Sequence, residues 1–466
     1  MADVLRLARG AHTIDLQGHA RIRSAEYTPA APQLSVTEYT DQIRSGGEIT
    51  NAVRRNVTES VELLLSANAA GDMSDVQTYI RSIETWLREV DERQRRGVGD
   101  RLYVEYEPQD STGVWRSEIL AGRVEVSEIL PRWLSQMHVR IVIYWTRRYY
   151  WEGAEVELLL SNRNAVTPTT GGVTVDNCYD ATHDNTVDID GDDVDGVIPA
   201  PCRIEMTNTY DVSARLAYLF IGHNVFSSPT SFDHILEAED ATGGTPTSSP
   251  FASAGYYSQV SVGTTEATVL AWTLPSSLLG HAAGGRFQVL SKWLISLSHD
   301  VWLRWRLRYN NLTVWEGEEF QRDPTYALAI RDLGAIQLPP WLVDSGYNVG
   351  DLDLELRARR ESAGDIYPDF FQLTPTDSYR TLFPVAYGAQ YQHRLIDDGI
   401  LDMVYVDSGE STGRFGYYVP RGSPIMLWPG RNQRLYFLQH AWTMDTAEID
   451  RTMSVRIYHR PRRLTL

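Results

Sequence analysis

The residues whose spacing most suggests chemistry lie between Asp184 and Asp195, in Asp-Asn-Thr-Val-Asp-Ile-Asp-Gly-Asp-Asp-Val-Asp. Asp188, Asp190 and Asp192 alternate, and carboxylate oxygens are the ligands that Ca²⁺ takes. The EF-hand register fails, because its sixth position is Asp193 in place of glycine and no glutamate ends the loop. A solvated acidic turn is the plainer reading, so no metal ligand is assigned. The two cysteines, Cys178 and Cys202, flank this loop and could bridge it; in a reducing compartment two buried thiols are expected. Other catalytic vocabulary is absent. There is no phosphate-cradling Walker loop, no dinucleotide glycine fingerprint, no H-E-x-x-H and no G-x-S-x-G, and the 11 histidines are scattered singly. A polysaccharide depolymerase needs only two carboxylates, which 61 acidic residues could supply, and turnover of capsular or wall polysaccharide is its test. The expectation is a protein that is not an enzyme, with no catalytic residue and no cofactor.

One short motif points elsewhere. Leu236-Glu-Ala-Glu-Asp-Ala is similar to the E-A-E motif of some carbohydrate-binding jelly rolls, and Tyr256, Tyr257 and Trp272 could give a sugar ring flat faces. Core packing explains the same rings. The sequons at Asn56 and Asn311 carry no weight without secretion.

The elements that must position these residues are mostly strands. Val139, Ile141, Ile143 and Trp145 alternate with Arg140, Tyr144 and Thr146, and near the end Met453, Val455 and Ile457 alternate with Arg456, Tyr458 and Arg460. This period of two reads as half-buried strands. One helix is expected over residues 74–96. Ser74-Asp-Val-Gln is a capping box, Val76, Ile80, Ile83, Leu87 and Val90 form one apolar stripe, Arg93, Arg95 and Arg96 suit the last turn, and Gly97 closes it. Strands at 57–65, 101–107, 114–119 and 139–151 flank the helix and make an α+β layer. A linker is expected at 162–172.

Farther on, Leu303, Trp305, Leu307 and Tyr309 face inward while Arg304, Arg306 and Arg308 face out, and Asn310-Asn311 signals a turn back through 312–315. The 351–359 strand buries Leu352, Leu354, Leu356 and Ala358 and exposes Asp351, Asp353 and Glu355. If the two strands are neighbours, arginines meet carboxylates, each pair contributing about 0.2–1 kcal/mol. Trp-Glu-Gly follows an alternating strand at both Trp151 and Trp315. The division expected is an α+β domain over 1–164, a jelly-roll sandwich over 165–382 and a small β segment over 383–466.

A chain of 466 residues can bury several cores, and its formal charge of −18 argues against a sequence-reading nucleic-acid binder. Of 43 basic residues only Lys292 is a lysine. The first ten residues hold no apolar run of signal-peptide length and no later window approaches 18 apolar residues, so no membrane span and assembly in a cytoplasm are expected.

Taken together, the chain resembles the tail-tube and distal-tail proteins of long-tailed bacteriophages (siphophages). The likeness rests on Asn56-Val-Thr-Glu-Ser-Val-Glu-Leu-Leu-Leu, the 74–96 helix, Arg101-Leu-Tyr-Val-Glu-Tyr-Glu-Pro, the 139–151 strand, and Leu427-Trp-Pro-Gly-Arg-Asn-Gln-Arg-Leu-Tyr-Phe-Leu near the end. It implies a mainly β protein: a split β-barrel with one packed helix, then a jelly-roll or galectin-like sandwich, then a small β carboxyl-terminal segment. The role implied is a virion structural protein, forming a homo-oligomeric ring of six or three chains in the tail tube or at the distal end or baseplate. Its partners would be tube and baseplate or fibre proteins, and DNA would pass without sequence-specific contact, along a wall expected to be negative. The alternative is a carbohydrate-binding, host-adhesion protein that reads surface glycans with its middle sandwich.

Overall fold

The helix spans Ser74–Arg96 in a computed structural model of the chain, with acidic Asp75 in its first turn and Arg93, Arg95 and Arg96 in its last. The structure describes residues 4–17, 22–24, 27–40, 47–66, 74–96, 100–108, 113–131, 137–163, 165–177, 184–209, 216–226, 235–274, 286–294, 300–321, 330–338, 352–384, 389, 392–407, 414–415, 418–441 and 452–466. Gly97, Cys178 and Asp351 lie outside them. The chain is mainly β. Every strand pairing among the described residues is antiparallel, and they contain a single α-helix. Two compact units form. The first takes residues 1–155, 196–198 and 460–466; the second takes 156–195 and 199–459. The 383–466 stretch therefore contributes to both.

In the first unit, strands His12–Asp15, Val4–Arg9, Leu102–Glu107, Trp115–Pro131, Met137–Arg147, Val57–Ser66 and Ile22–Ser24 pair in that order within a nine-stranded sheet. Val139, Ile141, Ile143 and Trp145 are buried, as the alternation demands, and the helix buries Val76, Ile83, Leu87 and Val90 against the same core. Gly122 makes the seat for the helix. A Cβ there would lie 2.6 Å from Leu87 Cδ2 and 2.9 Å from the Tyr144 carbonyl.

A buried ion pair locks the sheet to the 27–30 segment. Arg147 and Glu59 are almost fully enclosed. Arg147 donates to Glu59 at 3.0 and 2.8 Å, Tyr27 Oη donates to it at 2.6 Å and Trp145 Nε1 at 3.1 Å. Because every acceptor site is used, the desolvation of the charges is compensated. At the chain end, Arg462 pairs with Glu152 and Arg463 lies over the Trp115 ring, so the final residues close this unit.

A separate two-stranded ribbon, Leu34–Thr40 with Gly47–Arg54, pairs with no further strand among the described residues.

The second unit is a stack of four principal sheets. The first joins Ala267–Thr273, Leu352–Arg360, Val301–Tyr309 and Leu312–Glu316; the second joins Ile235–Glu237, Pro368–Pro375, Arg286–Trp293 and Ile330–Gln337. The third joins Thr186–Ile189, Asn432–Ala441, Leu216–Phe226, Tyr379–Pro384 and Tyr418–Gly422. The fourth is built on Met453–His459, Arg203–Asn208, Arg394–Asp398 and Met403–Asp407.

Between the first two sheets, the Phe371 ring meets Trp272, Trp293 and Trp305 at centroid distances of 5.1, 5.7 and 5.4 Å. Between the last two, Ile221, Phe437 and Leu382 pack on Ile204, Met206 and Ile457. The expected linker at 162–172 is folded onto this unit. Asn162 is buried and donates to the Thr174 carbonyl at 2.9 Å, and Leu160 bridges to Thr169.

Candidate functional site

The acidic loop disperses its carboxylates instead of gathering them. Asp188 forms a two-pronged ion pair with Arg434 at 2.5 and 2.8 Å. Asp190 accepts from the Asp192 amide at 3.0 Å and so caps the short 3₁₀ turn Gly191–Asp193. Asp184 is buried and accepts from Thr186 N, Thr186 Oγ1 and Arg163 N at 2.8, 2.7 and 2.6 Å. Burial raises the Asp184 carboxyl, and burial with Asp190 and Asp192 raises Asp193. Among the described residues no three His, Cys, Asp or Glu side chains converge as a metal site. Cys202 is buried, and its enclosure holds the thiol well above its usual range.

The arginine stripe finds carboxylates, in a different arrangement from a simple ladder. Val301–Tyr309 pairs with Leu352–Arg360, which places Arg306 opposite Glu355 and Arg308 opposite Asp353, but Arg304 opposite Arg357. The like-charged pair is bridged from neighbouring chain: Arg357 reaches Glu266 and Glu316 at 2.9 and 3.0 Å, and Arg304 lies 3.6 Å from each. Glu355, read as exposed, is buried beneath Arg306 and Arg308, with Arg306 Nε at 2.6 Å. Burial raises the Glu355 carboxyl, but the two arginines together outweigh it and hold it below the ordinary range. These charges neutralise one another and leave little for a phosphate.

The E-A-E segment does lie beside a charged centre. Lys292 and Asp369 are both fully buried, with Nζ 2.9 Å from Asp369 Oδ2, and Lys292 Nζ also donates to the Phe251 carbonyl at 3.2 Å. The loop that follows Phe251 is tied to the same centre. Ser253 N donates to Asp369 Oδ1 at 2.8 Å and Ser253 Oγ to Glu237 Oε1 at 3.0 Å. Left-handed Ala254 and Gly255, at φ 50° and 80°, turn this loop into the Tyr256–Val262 strand. Glu239 is half-buried, and its Oε2 has no partner in the protein. Burial, with Asp369 and Asp240 nearby, pushes its carboxyl up to about 7.

The three aromatic residues proposed as sugar platforms separate. Trp272 is 5% exposed, lies in the core and donates its indole N–H to the Glu237 carbonyl at 2.8 Å, so it offers no face to a ligand. Tyr257 is half-buried against Tyr367. Only Tyr256, at 48%, is open, and Phe251, which sequence reasoning missed, is 57% exposed on the adjoining loop. The buried Lys292–Asp369 pair was missed too; the one available signal was that Lys292 is the only lysine.

No family model matches the chain, and no curated protein does. Among solved structures it is similar to the SPP1 Dit protein, described as a paradigm of the hub adsorption apparatus of phages infecting Gram-positive bacteria. That likeness covers 98% of this chain and 99% of the other, with 9% identity and a TM-score of 0.31. It is also similar to chains of the phage p2 baseplate in its activated conformation with strontium, at 7% identity, and with calcium, at 8%; each has a TM-score of 0.28 and 98% coverage of both chains. Likeness at this level does not establish a shared fold or a family.

Proposed function

We propose that this chain is a structural protein of a phage tail, forming a ring in the tube or at its distal end or baseplate and carrying no catalytic activity. The observation that carries this reading is the Leu34–Thr40/Gly47–Arg54 ribbon, which pairs with no further strand among the described residues, with Leu34 57% and Val53 51% exposed. A two-stranded ribbon is marginal alone in water and its edges invite pairing, so a neighbouring subunit is its natural cover. The order of strands and helix quoted above for the tail-tube likeness supports the same role. On this reading the first unit is the split-barrel ring former. The second carries a jelly-roll or galectin-like arm toward baseplate and fibre proteins, and the particle belongs to the virion tail.

The face of the first unit's sheet away from the helix bears Arg6–Glu105, Arg123–Glu125 and Arg140–Glu62 pairs. These three pairs cancel within themselves; on this reading the channel wall is negative, in keeping with the formal charge of −18, and DNA passes without sequence-specific contact. Deleting residues 34–54 is the direct test. Negative-stain images of the full chain should show rings and those of the deletion variant single subunits; rings from both would remove the ribbon from the assembly.

The glycan-reading alternative keeps one favourable observation, the exposed Phe251 and Tyr256. A glycan array with the full chain, and loss of any signal in Tyr256→Ala, would support it.

A further inference from the structure

The two large cores of the second unit meet through a thin one. Between its second and third sheets the buried apolar side chains are Phe220, Ile235, Leu290, Ile330, Phe370 and Leu438. The layers on either side are filled by far larger clusters. The same thin layer holds polar groups that the protein leaves unsatisfied. On the Pro368–Pro375 strand Gln372 and Thr374 alternate with Phe371 and Leu373 of the first core, and so share the face of Phe370. Gln372, Thr374 and Asn185 are all fully buried. Asn185 Nδ2 lies 3.4 Å from Gln372 Oε1, yet Asn185 Oδ1, Gln372 Nε2 and Thr374 Oγ1 have no hydrogen-bond partner in the protein. Opposite them Gly222 admits no side chain, since a Cβ would come within 2.5 Å of Thr374 Cγ2.

The orphans are an amide carbonyl, an amide N–H and a hydroxyl, the mixture of acceptor and donor that a buried water requires. Left dry they would each carry an uncompensated desolvation cost. The hydrogen-bond ladders run within the sheets and not between them, so separation at this layer breaks none of them. It uncovers the smallest of the three cores. We propose that this layer is a hydrated seam, in which water bridges Asn185, Gln372 and Thr374, and that the two sandwiches part along it while each keeps its own core. Such an opening lies below global unfolding in free energy.

Thiol labelling of the folded full chain tests this, with Cys202, buried in the core between the third and fourth sheets, as internal reference. In a Cys178→Ser background, the thiol introduced by Thr374→Cys should be modified at least about tenfold faster than Cys202. Equal rates would overturn the seam. Leu438→Cys is a second reporter in the same layer and decides the matter if the first variant does not fold. Adding Asn185→Leu and Gln372→Leu to Leu438→Cys should bring its labelling ratio to Cys202 down severalfold; an unchanged ratio would remove water from the proposal.

Discussion

Lys292 shows how much a single residue can hold. Its ammonium and the Asp369 carboxylate are both fully buried, 2.9 Å apart. Removing one partner strands the other charge, which typically costs about 3–5 kcal/mol. Lys292→Met should therefore lower the urea unfolding free energy by about that much, and a loss under about 1 kcal/mol would show that Asp369 finds other support. Glu239 governs a pH response. Its carboxyl is raised from the ordinary range to about 7, chiefly by burial, so the folded state holds a proton that the unfolded state releases. Its contribution to stability is present below the ordinary glutamate range and is lost as pH rises toward 7. Thermal melts of Glu239→Gln and the parent between pH 5 and 8 should diverge as pH rises, with the variant higher; parallel curves would contradict this. Neither residue's role was legible in the sequence. Lys292 announces itself only by being unique, and its partner lies 77 positions on. Trp272 was a candidate platform only as an aromatic considered with the E-A-E motif, with core packing as the alternative, and the core is where it lies.

Elements were far more legible. The helix runs over residues 74–96 as its cap and apolar stripe predict, because both signals are local. Asn310-Asn311 makes the turn between Val301–Tyr309 and Leu312–Glu316, with φ of 46° and 65° at the two asparagines. Both positions are left-handed, a conformation that asparagine tolerates and β-branched residues resist. Asn311→Val should cost roughly 1–2 kcal/mol and Asn311→Gly should be neutral or slightly stabilising, as read from thermal midpoints. A neutral valine would mean the turn relaxes to another type. Strand faces were readable for the same local reason, and Leu352, Leu354 and Leu356 are buried as written. Register was not, since it depends on a strand some 50 residues away. That is why Arg304 meets Arg357, and why Glu266 and Glu316 had to be found in space.

At the scale of the whole molecule, the sequence conveyed a mainly β chain and left the stacking order hidden. The third sheet of the second unit joins Thr186–Ile189 to Asn432–Ala441, pairing segments far apart in sequence that no periodicity connects. The same long-range return brings residues 460–466 back to the first unit. Among the described residues the Leu34–Thr40/Gly47–Arg54 ribbon pairs with no further strand, and ring formation is the role proposed for it. The most direct measurement is the mass of the purified full chain in solution, taken across a concentration series and paired with electron microscopy. The expected result is a closed assembly of six or three chains with a central hole. A monomer that persists at high concentration, with the ribbon intact, would contradict the structural role and leave glycan reading as the function to pursue.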